Sequence, residues 1–391
     1  MAAANTQVAA VRARWAVAVI FFVNGVLMGS WAPQIPVLVA RLDISETTLG
    51  LLILAFGAGA LCAMAWCGYL LARYGSRPVL RGFAVAGAFG LLVVAVSPGV
   101  PAAAAALFLF GGLIGGMDVA MNASAVAVER SLGRAIMSSS HGFWSLGGFA
   151  GAAAGGILIQ QWGHLAHAAA VTAIALAMVV AVLGSLISED RPTAREERRF
   201  SLPRNPIIYL IGLIALFAMI PEGAVLDWAA LYLRQERGAD LATAGFAYAA
   251  LSAAMAVMRF VGDRVRNRYG AVATMRVSSL IAAAGMLLAG LAPFPWIAVA
   301  GFALSGVGIA NIVPIAFSAA GNQSGLSAGA GLSTVTLMGY SGILVAPSAI
   351  GFVGERTGFA PIFVAMAVLF VIVGLMAGLV RSADMIDPPP R

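Results

Sequence analysis

Gly68-Tyr69-Leu70-Leu71-Ala72-Arg73-Tyr74-Gly75-Ser76-Arg77 is a short basic segment that closes one long apolar stretch and opens the next. Its tripeptide Arg73-Tyr74-Gly75 returns as Arg268-Tyr269-Gly270, half a chain length later in a sequence of 391 residues. Other pairs share nearly the same offset: Trp31 with Trp228, Trp144-Ser145 with Tyr340-Ser341, and Gly155 with Gly351. Duplication of one unit explains these matches more simply than chance.

On either side of each copy the sequence is apolar. Hydrophobic residues make up 61% of the chain and charged residues only 10%, where a soluble domain carries about 25% charged. A helix needs about 20 apolar residues to cross the hydrocarbon core of a bilayer. Segments of that kind fall at 13–38, 47–71, 78–97, 102–128, 137–160 and 165–187, and again at 206–232, 241–262, 271–291, 296–318, 327–352 and 360–381. The first follows Arg12 and Arg14 but is too long for a signal peptide and lacks a small-residue cleavage site. The expected fold is all-α, with twelve transmembrane helices in two pseudo-symmetric bundles. Residues 1–187 form the first, 188–204 a linker and 205–391 the second.

All 23 basic residues are arginine. They lie between apolar segments rather than on one face or tail, so no nucleic-acid partner is expected. With the N-terminus in the cytoplasm, only Arg41, Arg234, Arg237 and Arg356 fall on the outer side. That asymmetry predicts a multi-pass protein of a bacterial inner membrane with both termini cytoplasmic. The linker Ser188-Glu189-Asp190-Arg191-Pro192 to Arg204 is charged and proline-bearing, as a cytoplasmic connection would be. Cys62 and Cys67 match no metal or disulfide pattern and read as small core residues.

The segment quoted first resembles the signature G-x-L-x-D-R-x-G-R-R/K of the major facilitator superfamily. Gly262-Asp263-Arg264-Val265-Arg266-Asn267-Arg268-Tyr269-Gly270 resembles the related G-D-R-x-x-D-R-x-G form. Ala72 and Asn267 stand where the family usually has aspartate. His141-Gly142-Phe143-Trp144-Ser145-Leu146-Gly147 is similar to a bacterial branch grouped with sugar permeases and a rhizopine-associated membrane protein. The resemblance implies alternating access, with spans one, four, seven and ten lining a central pathway. It also implies a cytoplasmic gate at the signature residues Arg73, Arg77 and Arg268, together with Asp263, which the i, i+4 spacing pairs with Arg259.

A carboxylate at the bilayer centre costs about 2.5 to 3.5 kcal/mol, so each one there is a functional candidate. Asp118 shares a helical face with Asn122. Glu222 sits between Pro221 and Gly223 near the middle of span seven. Asn24, Asp118, Glu222 and Asn311 occupy the four spans expected to line the pathway, and Asp227 lies nearer the outer end of span seven. Each is read as a pathway residue, with an interhelical hydrogen bond as the alternative. Burial favours the uncharged form of a carboxyl group, which makes protons the expected coupling ion. His141 is a further candidate on that pathway. Trp31, Trp144, Trp228 and Tyr340 are read as cavity aromatics or as an aromatic belt at the membrane surface. Glu129 and its neighbour Arg130 read as a cytoplasmic surface or gate pair. With no arginine expected near the midplane, a neutral or cationic solute is favoured over an anion.

His164 and His167 lack acidic or thiol companions, and no metal or cofactor is expected. HExxH, GxSxG and phosphate-loop motifs are missing, which argues against an enzyme and against an ATP-driven pump. The expected function is secondary transport of a small polar organic solute, sugar- or cyclitol-like, by proton symport and as a monomer in the lipid bilayer. A proton-driven exporter of drugs or metabolites, and a sensor that does not transport, remain the alternatives.

Overall fold

The computed structural model describes residues 2–132, 136–187, 205–323 and 328–384. The expected linker 188–204 lies outside them. The first bundle holds α1 (Ala2–Leu42), α2 (Glu46–Tyr74), α3 (Ser76–Gly87), α4 (Gly90–Ala95), α5 (Val100–Leu132), α6 (Met137–Trp162) and α7 (His164–Val182). The second holds α8 (Pro206–Arg237), α9 (Leu241–Tyr269), α10 (Ala271–Gly290), α11 (Pro295–Ile309), α12 (Ile312–Gly321), α13 (Ala328–Thr357) and α14 (Ala360–Met376). Twelve spans among the described residues are long and apolar enough to cross a membrane. The chain is a multi-pass membrane protein. The face at which α1 begins is called near, and the opposite face far.

Apolar sequence explains the helices, because inside lipid each backbone polar group must be satisfied within the segment. The two tripeptide copies explain where spans two and eight stop. Gly75 and Gly270 have φ of 80° and 79°, a left-handed backbone that favours glycine. Their amides close the last turns on Leu71 and Arg266. Elsewhere side chains cap the helices. The Asn205 Oδ1 accepts from the Ile207 amide at 3.0 Å and the Asp240 Oδ1 from the Thr243 amide at 2.7 Å. That bond holds the Asp240 carboxyl below the usual carboxylate range. Glu129 accepts from the Ile136 and Met137 amides at 2.7 and 2.9 Å. It therefore caps the start of α6, which replaces its reading as a gate or surface charge.

Among the described residues, two spans are broken into separate helices. Span three turns at Ala88-Phe89, where the Phe89 amide bonds the Ala86 carbonyl at 3.1 Å. Span ten turns at Ala310-Asn311, between α11 and α12. Hydrophobicity does not register such breaks, because the residues on both sides are equally apolar.

Within each bundle, helices of matching position pack together, α1 on α6 and α8 on α13. The bundles meet along two seams, α6 with α9 and α2 with α13. Glycine sets how close those seams come. A Cβ on Gly245 would stand 2.7 Å from the Ala152 carbonyl oxygen, and one on Gly50 would stand 2.9 Å from that of Pro347. Apolar side chains such as Trp66, Leu280 and Leu375 are exposed on the outside of the protein, where lipid rather than water would cover them.

Candidate functional site

Spans four, five, seven, eight and eleven bring half-buried polar groups together between the bundles. On α5, the Asn122 side-chain amide donates to the Asp118 carbonyl at 2.9 Å and to its carboxylate at 3.3 Å. On α8, Glu222 pairs with Arg259 of α9 at 3.7 Å. Tyr340, on α13, lies within electrostatic reach of both Asp118 and Glu222. The two acids thus face a common region, although they belong to different halves.

Arg259 connects more than its own bundle. Besides pairing with Glu222, it donates to the Ser145 hydroxyl on α6 and lies 5.8 Å from the Trp144 ring centroid. The expected pairing with Asp263 falls on a side chain outside the described residues. The length of an arginine side chain lets the charge of Arg259 act well away from its backbone, toward the middle of the bundle. A cation therefore does stand beside Glu222, and the reasoning that an anion would find no countercharge loses its premise. Tyr248, Ser252 and Arg259 follow one helical stripe of α9, and that spacing was the signal in the sequence that could have located Arg259.

Asn24 and Asn311 are packed between helices. Asn24 is 1% exposed, accepts from the Trp144 indole at 2.8 Å and reaches the Ile114 carbonyl at 3.5 Å. It braces α1, α5 and α6, so it acts by holding Trp144. Asn311 is buried at the break in span ten, with its Oδ1 pressed on Gly262 of α9 and its amide nitrogen unpartnered. A buried side chain wedged between two helices of one bundle has no surface left for a solute. His141 is half-buried on α6, edge-on to Phe21 at 5.2 Å and within reach of the Arg259 charge.

The belt reading of two tryptophans does not hold. Trp31 and Trp228 are 2% and 0% exposed, so neither meets lipid headgroups. Trp31 instead donates to Asp227 across the bundles at 3.4 Å, and Trp228 stacks on Phe359 at 5.2 Å. Trp144 and Tyr340 are half-buried at the central region.

Further contacts close the far face. Gln235 donates to Glu46 at 2.8 Å, the Thr47 amide to Glu355 at 3.1 Å, and the Ala242 amide to Gln160 at 3.0 Å. Each joins one bundle to the other. At the near face the signature arginines engage their own bundles. Arg73 bonds Tyr69 at 2.8 Å, Arg268 lies 5.6 Å from the Tyr269 ring centroid, and Arg77 lines a groove formed by first-bundle residues. Here the halves are drawn together at the far face, and Arg73, Arg77 and Arg268 make no bridge between them among the described residues.

Comparison with known proteins agrees with this architecture. The family model of the Major Facilitator Superfamily matches residues 17–271 and 211–391. An uncharacterised MFS-type transporter of Yersinia pestis is 36% identical over 367 residues, covering 91% of this chain and 93% of its own. Membrane protein MosC of Rhizobium meliloti is 32% identical over 357 residues, covering 91% and 86%. Among solved structures, a D-xylose-proton symporter superposes with a TM-score of 0.69 at 15% identity, covering 94% and 96%. Twelve spans in two facing bundles, a repeated glycine-ended turn and full-length relatives lead to one conclusion: the chain belongs to the Major Facilitator Superfamily of secondary transporters.

Proposed function

We propose that the protein moves a small polar organic solute, sugar- or cyclitol-like, across the bacterial inner membrane by alternating access, in symport with protons. The near face is cytoplasmic in this reading, because it collects most of the arginine. One observation carries the proposal: Asp118 of one bundle and the Glu222-Arg259 pair of the other are half-buried with Tyr340 within electrostatic reach of both acids, between bundles that are joined at the far face. Trp144 and Tyr340 offer aromatic faces to an apolar ring face, and the acids and Arg259 offer hydrogen bonds to hydroxyl groups. Glu222 has a cationic neighbour, whereas among the described residues Asp118 has Asn122 as its side-chain hydrogen-bond partner and no cation paired with it, so Asp118 is the group free to exchange a proton.

Protein in proteoliposomes, supplied with candidate sugars and cyclitols, tests this reading. Solute entry accompanied by inward proton movement is expected, with loss of coupled uptake in Asp118→Asn and Glu222→Gln. Solute exchanged against protons would make the protein an exporter. Normal rates in both variants would remove the site assignment.

A further inference from the structure

At the near face, away from the site between the bundles, the starts of α1 and α3 and the turn after α7 enclose an open groove of about 640 Å3. Val8, Ala9 and Arg12 form one wall, Arg77 another and residues 184–187 the third. Neither Arg12 nor Arg77 has a hydrogen-bond or ion-pair partner among the described residues, and the Arg77 Nε is buried without one. Arg81, one turn further along α3, differs: it donates to the Leu183 carbonyl at 3.1 Å. The first turn of α3 adds to the unmet demand for an anion. Gly75 gives it no side-chain cap, and the Ser76 hydroxyl is buried and unpartnered. Two arginines thus line one groove, and one of them, Arg77, stands in the first turn of a 12-residue helix, at its positive end.

The same groove has an apolar continuation. Val8, Val11 and Trp15 are 52%, 42% and 56% exposed and follow one stripe of α1 at helical spacing, with Arg12 among them. Arg14 lies 5.5 Å from the Trp15 ring centroid, and exposed tryptophan beside arginine marks headgroup depth. A soluble phosphate ion would satisfy the arginines and leave that stripe bare. A lipid satisfies both.

We propose that this groove is a binding site for an anionic phospholipid, its phosphate held by Arg12 and Arg77 and an acyl chain lying along Val8, Val11 and Trp15. Guanidinium forks match phosphate oxygens in geometry and charge, and basic clusters between helices at a cytoplasmic face recognise anionic headgroups.

The test uses the full chain in detergent, titrated with short-chain phosphatidylglycerol and read by thermal stability and native mass spectrometry. Phosphatidylglycerol is expected to bind and raise Tm, while phosphatidylcholine of the same chain length does not. Arg12→Gln with Arg77→Gln is expected to weaken binding about thirtyfold, each arginine near the headgroup contributing about fivefold. Arg12→Gln alone, at an exposed position, serves if the double variant does not fold. Three results would overturn the proposal. One is an affinity for phosphatidylglycerol that the arginine variants leave unchanged. A second is equal protection by inorganic phosphate or glycerol phosphate, which would make this a soluble-anion site. The third is stability that responds to Glu189→Gln with Asp190→Asn but not to lipid, which would give the groove to the chain's own acids.

Discussion

Asp118 and Glu222 are both carboxyl groups near the middle of a span, yet their neighbours separate them. Glu222 has Arg259 at 3.7 Å, while among the described residues Asp118 hydrogen-bonds the amide of Asn122 and pairs with no cation. Removing one member of a buried ion pair leaves an uncompensated charge and costs about 3 to 5 kcal/mol, whereas removing both is often nearly neutral. Glu222 and Arg259 retain 22% and 16% side-chain exposure, so about half that cost is expected here. Arg259→Gln should therefore lower Tm in detergent, and adding Glu222→Gln should restore most of it. Uptake should stay lost in both if the pair serves the solute as proposed. A double variant no more stable than Arg259→Gln alone would mean that the two side chains act separately. At the far face, the Trp31 indole bonds Asp227 across the bundles. Trp31→Phe removes that bond together with part of a buried ring, so the effect of the bond is read against Asp227→Asn, which keeps the indole in place. An ordinary hydrogen bond is worth about 0.5 to 1.5 kcal/mol, so the population open at the far face should rise about two- to tenfold, read from spin-label distances between far-face loops.

Elements respond to closeness rather than to charge. The α6 with α9 and α2 with α13 seams come together because Gly245 and Gly50 offer no side chain where the facing carbonyls pass. Gly245→Leu forces atoms into space that is already occupied, and overpacking costs about 1 to 3 kcal/mol. The strain is released by parting the halves at the far face. Cysteine labels placed in the central region should then become reachable from the far face and less so from the near one. Unchanged labelling would show that the seam is not what holds that face shut. The start of α9 depends on the Asp240 cap, and Asp240→Ala is expected to cost about 1 kcal/mol. The Asp240 carboxyl is held below its usual range by the Thr243 amide. The cap's contribution is thus present above the ordinary carboxylate range and lost as pH falls through the lowered value. A melt of the wild type that loses no more stability in acid than Asp240→Ala would contradict this.

Over the whole molecule, alternating access requires the far-face contacts to break once per cycle. Joining Glu46 to Gln235, both changed to cysteine in a background lacking Cys62 and Cys67, with a short bifunctional thiol reagent should abolish transport. A reducible linker should then restore it. Transport that persists through a complete cross-link would refute the cycle.

The twelve spans, the two related halves and the glycine-ended turns at Gly75 and Gly270 were legible in the chain itself. Apolar length, an offset repeat and a left-handed glycine are local properties, and lipid leaves a long apolar segment few conformations other than a helix. The acids Asp118 and Glu222 were legible too, since a charge inside an apolar run is costly wherever the helix turns it. Only the tertiary structure decided what each group faces. It brought Arg259 to Glu222, turned Asn24 and Asn311 inward between neighbouring helices, buried Trp31 and Trp228, made Glu129 a helix cap and directed Arg77 into a groove of its own bundle. Those outcomes depend on how far a side chain reaches and on how helices rotate against one another. Sequence spacing sets the face of a helix on which a residue stands, but the rotation of that face comes from the packing of all twelve spans.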